Sequence, residues 1–175
     1  MKNIFNLFVK IIDFFYQKKV INFFKDNTNS EYKVLMDIGA HEGETIVNFL
    51  SNFKIKNIYS FEASNKTYKK LKINVDNIRN KYTTTNIEIF NMGVGNSNEK
   101  KIFNELPDSN SSTFHSIDQS SSYFKRKSRI LAFFLKKDFI IEKNVVPQIK
   151  LSEFIKNKIL TQIDVLKIDT EGYEF

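Results

Sequence analysis

The chain contains no cysteine and only two histidines, His41 and His115. The first absence removes disulfides and thiolate metal sites. The second leaves no multi-histidine metal centre within the chain. Long apolar runs are missing too. A bilayer-spanning helix needs about 20 mainly apolar residues, and the nearest approach, residues 4–15, is broken by Lys10 and Asp13. Gln17-Lys18-Lys19 follows it in place of a small-residue cleavage site, so no secretory signal is expected. There is no internal repeat of solenoid length. Glycine is scarce, with five residues, and the chain has neither a Gly-x-Gly-x-x-Gly fingerprint nor a Walker loop.

What is present reads as one domain of 175 residues, large enough to bury a core. The net charge of +7 admits nucleic acid, anionic lipid or an anionic substrate. The lysines are scattered rather than striped, so lysine-rich coding accounts for the charge equally well. The lack of cysteine is compatible with a reducing compartment, and a cytoplasmic location is expected.

The organising stretch is Val34-Leu35-Met36-Asp37-Ile38-Gly39-Ala40-His41-Glu42-Gly43-Glu44-Thr45. A short apolar run ends in an acid, a turn bracketed by Gly39 and Gly43 follows, and a helical pattern begins. Lys33–Ile38 is predicted as a strand buried on both faces, and Thr45–Phe53 as a helix with Ile46, Val47, Phe49 and Leu50 inward. Asn57–Phe61 is a second strand ending at Glu62, about 20 residues beyond Gly43. An acid at that interval is placed to accept both ribose hydroxyls of an adenosine cofactor, since a carboxylate can take two donors at once. Ser64 is the expected N-cap of the next helix, which carries Tyr68, Leu71, Val75 and Ile78.

Asn86–Phe90 reads as a third strand leading into Asn91-Met92-Gly93-Val94-Gly95, and Lys101–Asn104 as a further short one. Pro107–Ser112 is turn-rich. Arg126–Lys137 is a basic segment around Ile130-Leu131-Ala132-Phe133-Phe134-Leu135, readable as a short helix over a substrate cleft or as an insertion with a solvated basic face. Pro147 places the strand Val145–Leu151 at a sheet edge, and Ser152 caps a helix holding Glu153-Phe154-Ile155. Residues 163–175 read as another buried strand ending in acids.

Upstream, residues 3–25 have apolar positions at helical spacing (Ile4, Phe8, Ile11, Phe15, Val20, Phe23, Phe24). This amphipathic helix either packs on the domain or meets a lipid surface through Lys2, Lys10, Lys18, Lys19 and Lys25, which would put the protein at the inner face of a membrane. Asp26–Ser30 is a polar break. The division is therefore residues 1–30, helix and linker, and residues 31–175, the domain proper. Alternating strands and helices give an α/β fold with a doubly wound parallel sheet. Asp37, Glu62 and Asp169 fall at carboxyl ends of strands, where such sheets bind ligands. An acid before the turn, without three glycines, suits a ligand carrying a positive charge and no pyrophosphate, as S-adenosylmethionine does.

Seven stretches in order carry a resemblance: Asp37–Gly43, Phe61-Glu62-Ala63, Leu71 with Asn74, Met92–Gly95, Ser111-Ser112-Thr113, Leu151–Phe154 and Leu166–Glu174. Over residues 33–175 the chain resembles the FkbM-type S-adenosylmethionine-dependent methyltransferases, most specifically in Lys167-Ile168-Asp169-Thr170-Glu171-Gly172-Tyr173-Glu174. The resemblance implies a Rossmann-like, mostly parallel class I methyltransferase sheet. It implies O-methylation of a hydroxyl on a sugar, polysaccharide or secondary metabolite.

By that similarity Asp37, Gly39, Ala40 and Gly43 line the methionine side of the cofactor. Glu62, with Ala63 beside it, holds the ribose, and Met92 and Gly93 border the adenine. Asp169 and Glu171 face the transferred methyl, with Asp169 the first candidate base. His41, Ala63 and Ser152 stand where the family usually has Asn, Pro and Asp. The family continues past this last motif with a helix and further strands, so the chain is expected to be a fragment or a prematurely ended frame, binding the cofactor poorly and inactive alone. The alternative is an inactive remnant or a cofactor-binding interaction protein. No Asn-Pro-Pro-Tyr motif that would hold a flipped base is present, which counts against a nucleic-acid acceptor.

Overall fold

The computed structural model describes residues 16–106, 112–135 and 140–170. The leading helix is described over residues 16–27, here α1, and the part of the expected helix before it lies outside the described residues. α1 runs two residues into the polar stretch read as a linker. Thr28 ends it, its amide and its hydroxyl both donating to the Phe24 carbonyl at 3.0 and 2.6 Å.

The domain proper begins with β1 (Glu31–Ile38), followed by α2 (Glu44–Leu50), β2 (Lys54–Phe61), α3 (Asn65–Lys81) and β3 (Asn86–Phe90). Then come β4 (Gly93–Gly95), β5 (Glu99–Glu105), α4 (Ser122–Leu135), β6 (Glu142–Lys150), α5 (Leu151–Asn157) and β7 (Val165–Ile168). The four strands β3-β2-β1-β7 form a fully parallel sheet in that order, with Ile38 in register with Phe61 on one side and Ile168 on the other. A second sheet, in the order β4-β6-β5, pairs β4 with β6 in parallel and β5 with β6 antiparallel.

Because successive strand residues point to opposite faces, β1, β2 and β3 each feed two cores. Leu35, Ile58, Ile87 and Val165 meet Ile21 of α1, Ile46, Phe49 and Leu50 of α2, and Leu71, Val75 and Ile78 of α3. Val34, Met36, Ile38, Tyr59 and Phe61 turn the other way and meet Phe154 of α5. Helices on both faces of a parallel sheet make this the doubly wound, Rossmann-like arrangement. Phe154 is the hub of the second face, with ring centroids 4.9 Å from Phe61, 5.2 Å from Phe90 and 5.5 Å from Tyr59.

Ser64 caps α3 as expected, its hydroxyl accepting from the Thr67 amide at 3.2 Å. Four expectations are corrected. Val47 faces outward, and Thr45 takes the buried place in α2. β6 is the central strand of its sheet. Pro147 is tolerated because β4 pairs only with residues 148–150, so at Pro147 the strand has a neighbour on one side alone. Ser152 lies inside α5, whose N-cap is Lys150. There β6 runs straight into the helix, with Asn98 accepting from the Lys150 amide at 2.7 Å. β7 is not fully buried: Leu166 and Ile168 are 45% and 44% exposed.

Truncating the hub should be expensive. Phe154→Ala is expected to lower unfolding stability by about 3–5 kcal/mol. Phe23→Ala, at an exposed position of α1, should change it by no more than about 0.5 kcal/mol. Urea denaturation of both variants checks this.

Candidate active site at the carboxyl edge of the parallel sheet

The site is built where β1, β2 and β7 end together. Gly39 adopts a left-handed conformation, φ 80°. A Cβ there would lie 1.9 Å from the Asp169 carbonyl oxygen, so only glycine allows the turn to pass the end of β7. The strand ends are stitched by backbone hydrogen bonds. The Gly39 and Ala40 amides both donate to the Phe61 carbonyl at 2.9 Å, and the Asp169 amide donates to the Ile38 carbonyl at 2.9 Å.

His41, φ 49°, and Gly43, φ 98°, return to left-handed backbone, folding the turn back onto itself. The Gly43 amide donates to the Ala40 carbonyl at 2.9 Å, and α3 holds the turn from outside through Asn74, whose Nδ2 donates to the Glu42 carbonyl at 2.8 Å. Lys70 pairs with the Glu42 carboxylate at 2.6 Å.

Glu62 is buried immediately after β2. Its Oε2 accepts from the His41 amide at 2.9 Å and its Oε1 from the Ser64 amide at 2.8 Å, so one carboxylate ties the glycine turn to the start of α3. Burial pushes its pKa upward against the pull of those two amides. Asn91 donates to the carbonyls of Glu62 and Ala63 at 2.9 and 3.3 Å, fixing the same segment from the end of β3. Glu44 accepts from the Glu42 amide at 3.2 Å and pairs with His41 Nδ1 at 3.1 Å. That hydrogen bond raises the His41 pKa.

Asp37 is fully buried, and neither carboxylate oxygen accepts a hydrogen bond. Its partner is Lys167, directly opposite in register on β7, with Nζ 3.3 Å from Oδ1. The ammonium gives its hydrogen bond to the Gly39 carbonyl at 2.7 Å and stands 3.5 Å from the Asp169 carboxylate. Burial raises the Asp37 pKa from 3.8 to about 6 even with Lys167 lowering it. Lys167 is the residue the sequence reading missed. Its place beside Asp37 follows from the β1–β7 register, and its signal in the sequence was its place at the head of the Lys167–Glu174 stretch, two residues before Asp169.

The expected residues are thus partly gathered. Asp37, Gly39, Ala40, Gly43, Glu62, Ala63 and Asp169 lie on or beside the ends of β1, β2 and β7, with the Asp169 side chain exposed. Met92 packs into the core on the α5 face. Gly93 is covered by the Phe114 ring, which a Cβ would meet at 2.5 Å. Glu171 lies outside the described residues. Ser152 is exposed on α5.

A parallel sheet wound on both faces, with a glycine-bracketed turn and strand-end acids at its carboxyl edge, defines the Rossmann-like class that binds ligands at that edge. Within that class the chain belongs to the FkbM methyltransferase family: the model described as the methyltransferase FkbM domain matches residues 37–175. No curated protein and no solved structure matches the chain.

A carboxyl group whose folded pKa lies above its unfolded value favours the folded state at low pH and loses that contribution as pH rises through the folded value. For Asp37 the window runs from 3.8 to about 6, and the loss across it is roughly 3 kcal/mol. Asp37→Asn should therefore flatten the fall in melting temperature between pH 4 and 7, which a pH series of thermal melts would show.

Proposed function

We infer that this methyltransferase uses S-adenosylmethionine and methylates a hydroxyl oxygen on a sugar, polysaccharide or secondary metabolite. One observation carries the choice of cofactor. The amides of Gly39, Ala40, His41, Glu42 and Gly43 all donate to groups of the protein itself, so the turn offers no backbone cradle for a pyrophosphate. Around it stand Asp37, Glu62 and Asp169 with Lys167 as the neighbouring cation. That surplus of carboxylates suits a cationic ligand free of phosphate.

S-adenosylmethionine supplies, when bound, an electrophilic methyl group on a sulfonium. Asp37, Gly39, Ala40 and Gly43 would line its methionine side, with Ala63 beside the ribose, whereas Met92, packed into the core, and Gly93, covered by the Phe114 ring, offer no surface to the adenine. Glu62 would take the ribose hydroxyls, since each of its oxygens accepts one amide and keeps a lone pair for a further donor. Asp169 is exposed at the strand end and acts as the base, accepting the proton of the acceptor hydroxyl. Glu171 is the second candidate. Lys167 Nζ stands 3.5 Å from the Asp169 carboxylate.

Calorimetric titration with S-adenosylhomocysteine tests the cofactor. Binding weakened at least roughly tenfold by Glu62→Gln supports it, and binding that Glu62→Gln leaves unchanged overturns it. Transfer of a labelled methyl group to a panel of hydroxyl-bearing acceptors tests the base. In a full-length enzyme Asp169→Asn should lower turnover by roughly 10²–10⁴-fold with cofactor affinity unchanged, and unchanged turnover rejects the role.

A further inference from the structure

Glu105 ends β5 with its side chain buried, 3% exposed, and neither carboxyl oxygen has a hydrogen bond. A buried polar group left unanswered is costly. Among the described residues the other carboxyl group in that condition is Asp37, which has Lys167 at 3.3 Å. Beside Glu105 stands Lys66, its Nζ 4.0 Å away and beyond hydrogen-bond reach. That ammonium is committed elsewhere. It lies 2.6 Å from Glu142, the register partner of Glu105 on β6, on a side chain that is 64% exposed.

Its surroundings tie this carboxyl group to one side of the candidate site. Lys66 lies in the first turn of α3, just after the Glu62–Ser64 segment. Asn91 holds the Glu62 and Ala63 carbonyls from the end of β3. Next along the chain, Gly93 is covered by the Phe114 ring, and Phe114 packs on Phe103 with ring centroids 4.8 Å apart. Phe103 and Glu105 alternate onto the same face of β5. From Glu62 outward the protein thus passes through Ala63 and the segment after β3 to an aromatic pair, and then to a buried acceptor without a donor.

We propose that Glu105 recognises the adenine of S-adenosylmethionine by accepting a hydrogen bond from its exocyclic amine, an inference that rests on the cofactor assigned above. The strand order β3-β2-β1-β7 gives the cofactor a direction. Its reacting methyl group belongs near Asp169 after β7, its methionine part along the turn after β1, and its ribose at Glu62 after β2. The base then falls beyond β2, toward β3 and the side where Glu105 is found. A hydroxyl of the methyl acceptor is also a donor, but it has to meet the cofactor at the opposite end, beside Asp169. An amine that only donates and a carboxyl oxygen that lacks a donor complement one another.

Ligand-observed nuclear magnetic resonance on the full chain, a method that reads weak complexes, tests this with two compounds. One is S-adenosylhomocysteine, and the other is its deamino analogue, in which hydrogen replaces the adenine amine. The unaltered chain should bind the amine-bearing compound roughly tenfold or more tightly than the analogue. Glu105→Met should bind the two alike. The melting temperature of that variant should equal or exceed the parent's, because an apolar side chain replaces a buried group that has no hydrogen bond. Equal binding of the two compounds by the unaltered chain overturns the proposal and leaves S-adenosylmethionine as the cofactor. A preference that survives Glu105→Met also overturns it and leaves the carboxyl group to its ion pair with Lys66. A chain that binds neither compound, even weakly, removes the cofactor assignment and the proposal together.

Discussion

Between the end of β1 and the end of β7 there is space for a hydrogen atom and no more. The Asp169 carbonyl oxygen sits where a side chain on residue 39 would begin. Everything at the carboxyl edge follows from that contact. Because the chain can turn sharply at Gly39, the Asp169 amide reaches the Ile38 carbonyl and the next two amides reach the Phe61 carbonyl. Three strand ends are drawn into one row, and the acids that follow β2 and β7 are held on either side of the turn. A larger residue would have to push β7 away from β1, and the register that sets Lys167 opposite Asp37 would go with it.

That register carries an electrostatic cost. A carboxylate without hydrogen bonds in a fully buried place is expensive to ionise, and the raised pKa of Asp37 records the expense. Lys167 offsets part of it from 3.3 Å while also holding the Gly39 carbonyl. A hydrophobic residue in place of Asp37 would make a quieter core. A buried acid kept at some cost beside the turn accords with a functional demand on its charge. Glu62 shows the same tendency in milder form, with two backbone amides answering its carboxylate.

The fold was legible where the sequence carries a local signal. Apolar runs ending in acids marked the strands, Ser64 marked the start of α3, and the interval from Gly43 to Glu62 brought both to one edge. What was hidden depended on contacts distant in sequence. Lys167 becomes the partner of Asp37 only through the pairing of β1 with β7. Pro147 looked like an edge residue and is one locally, but β4, just three residues long, makes its strand central a residue later. The start of α5 is held by Asn98, more than fifty residues upstream, so the local Ser152 misled. Val47 looked inward by apolarity alone, and the helix axis turned Thr45 in instead.

The clasp formed by Glu62 has a thermodynamic consequence. Its carboxylate is immobilised by amides from two separate segments before any ligand arrives. The rotamer entropy that a free glutamate would surrender on binding has already been spent in folding. A hydroxyl-bearing ligand that reaches this edge therefore meets a preorganised acceptor. The affinity of the site for such a ligand is then tied to the stability of the turn and of the start of α3, so a change that loosens either one weakens binding without touching the ligand.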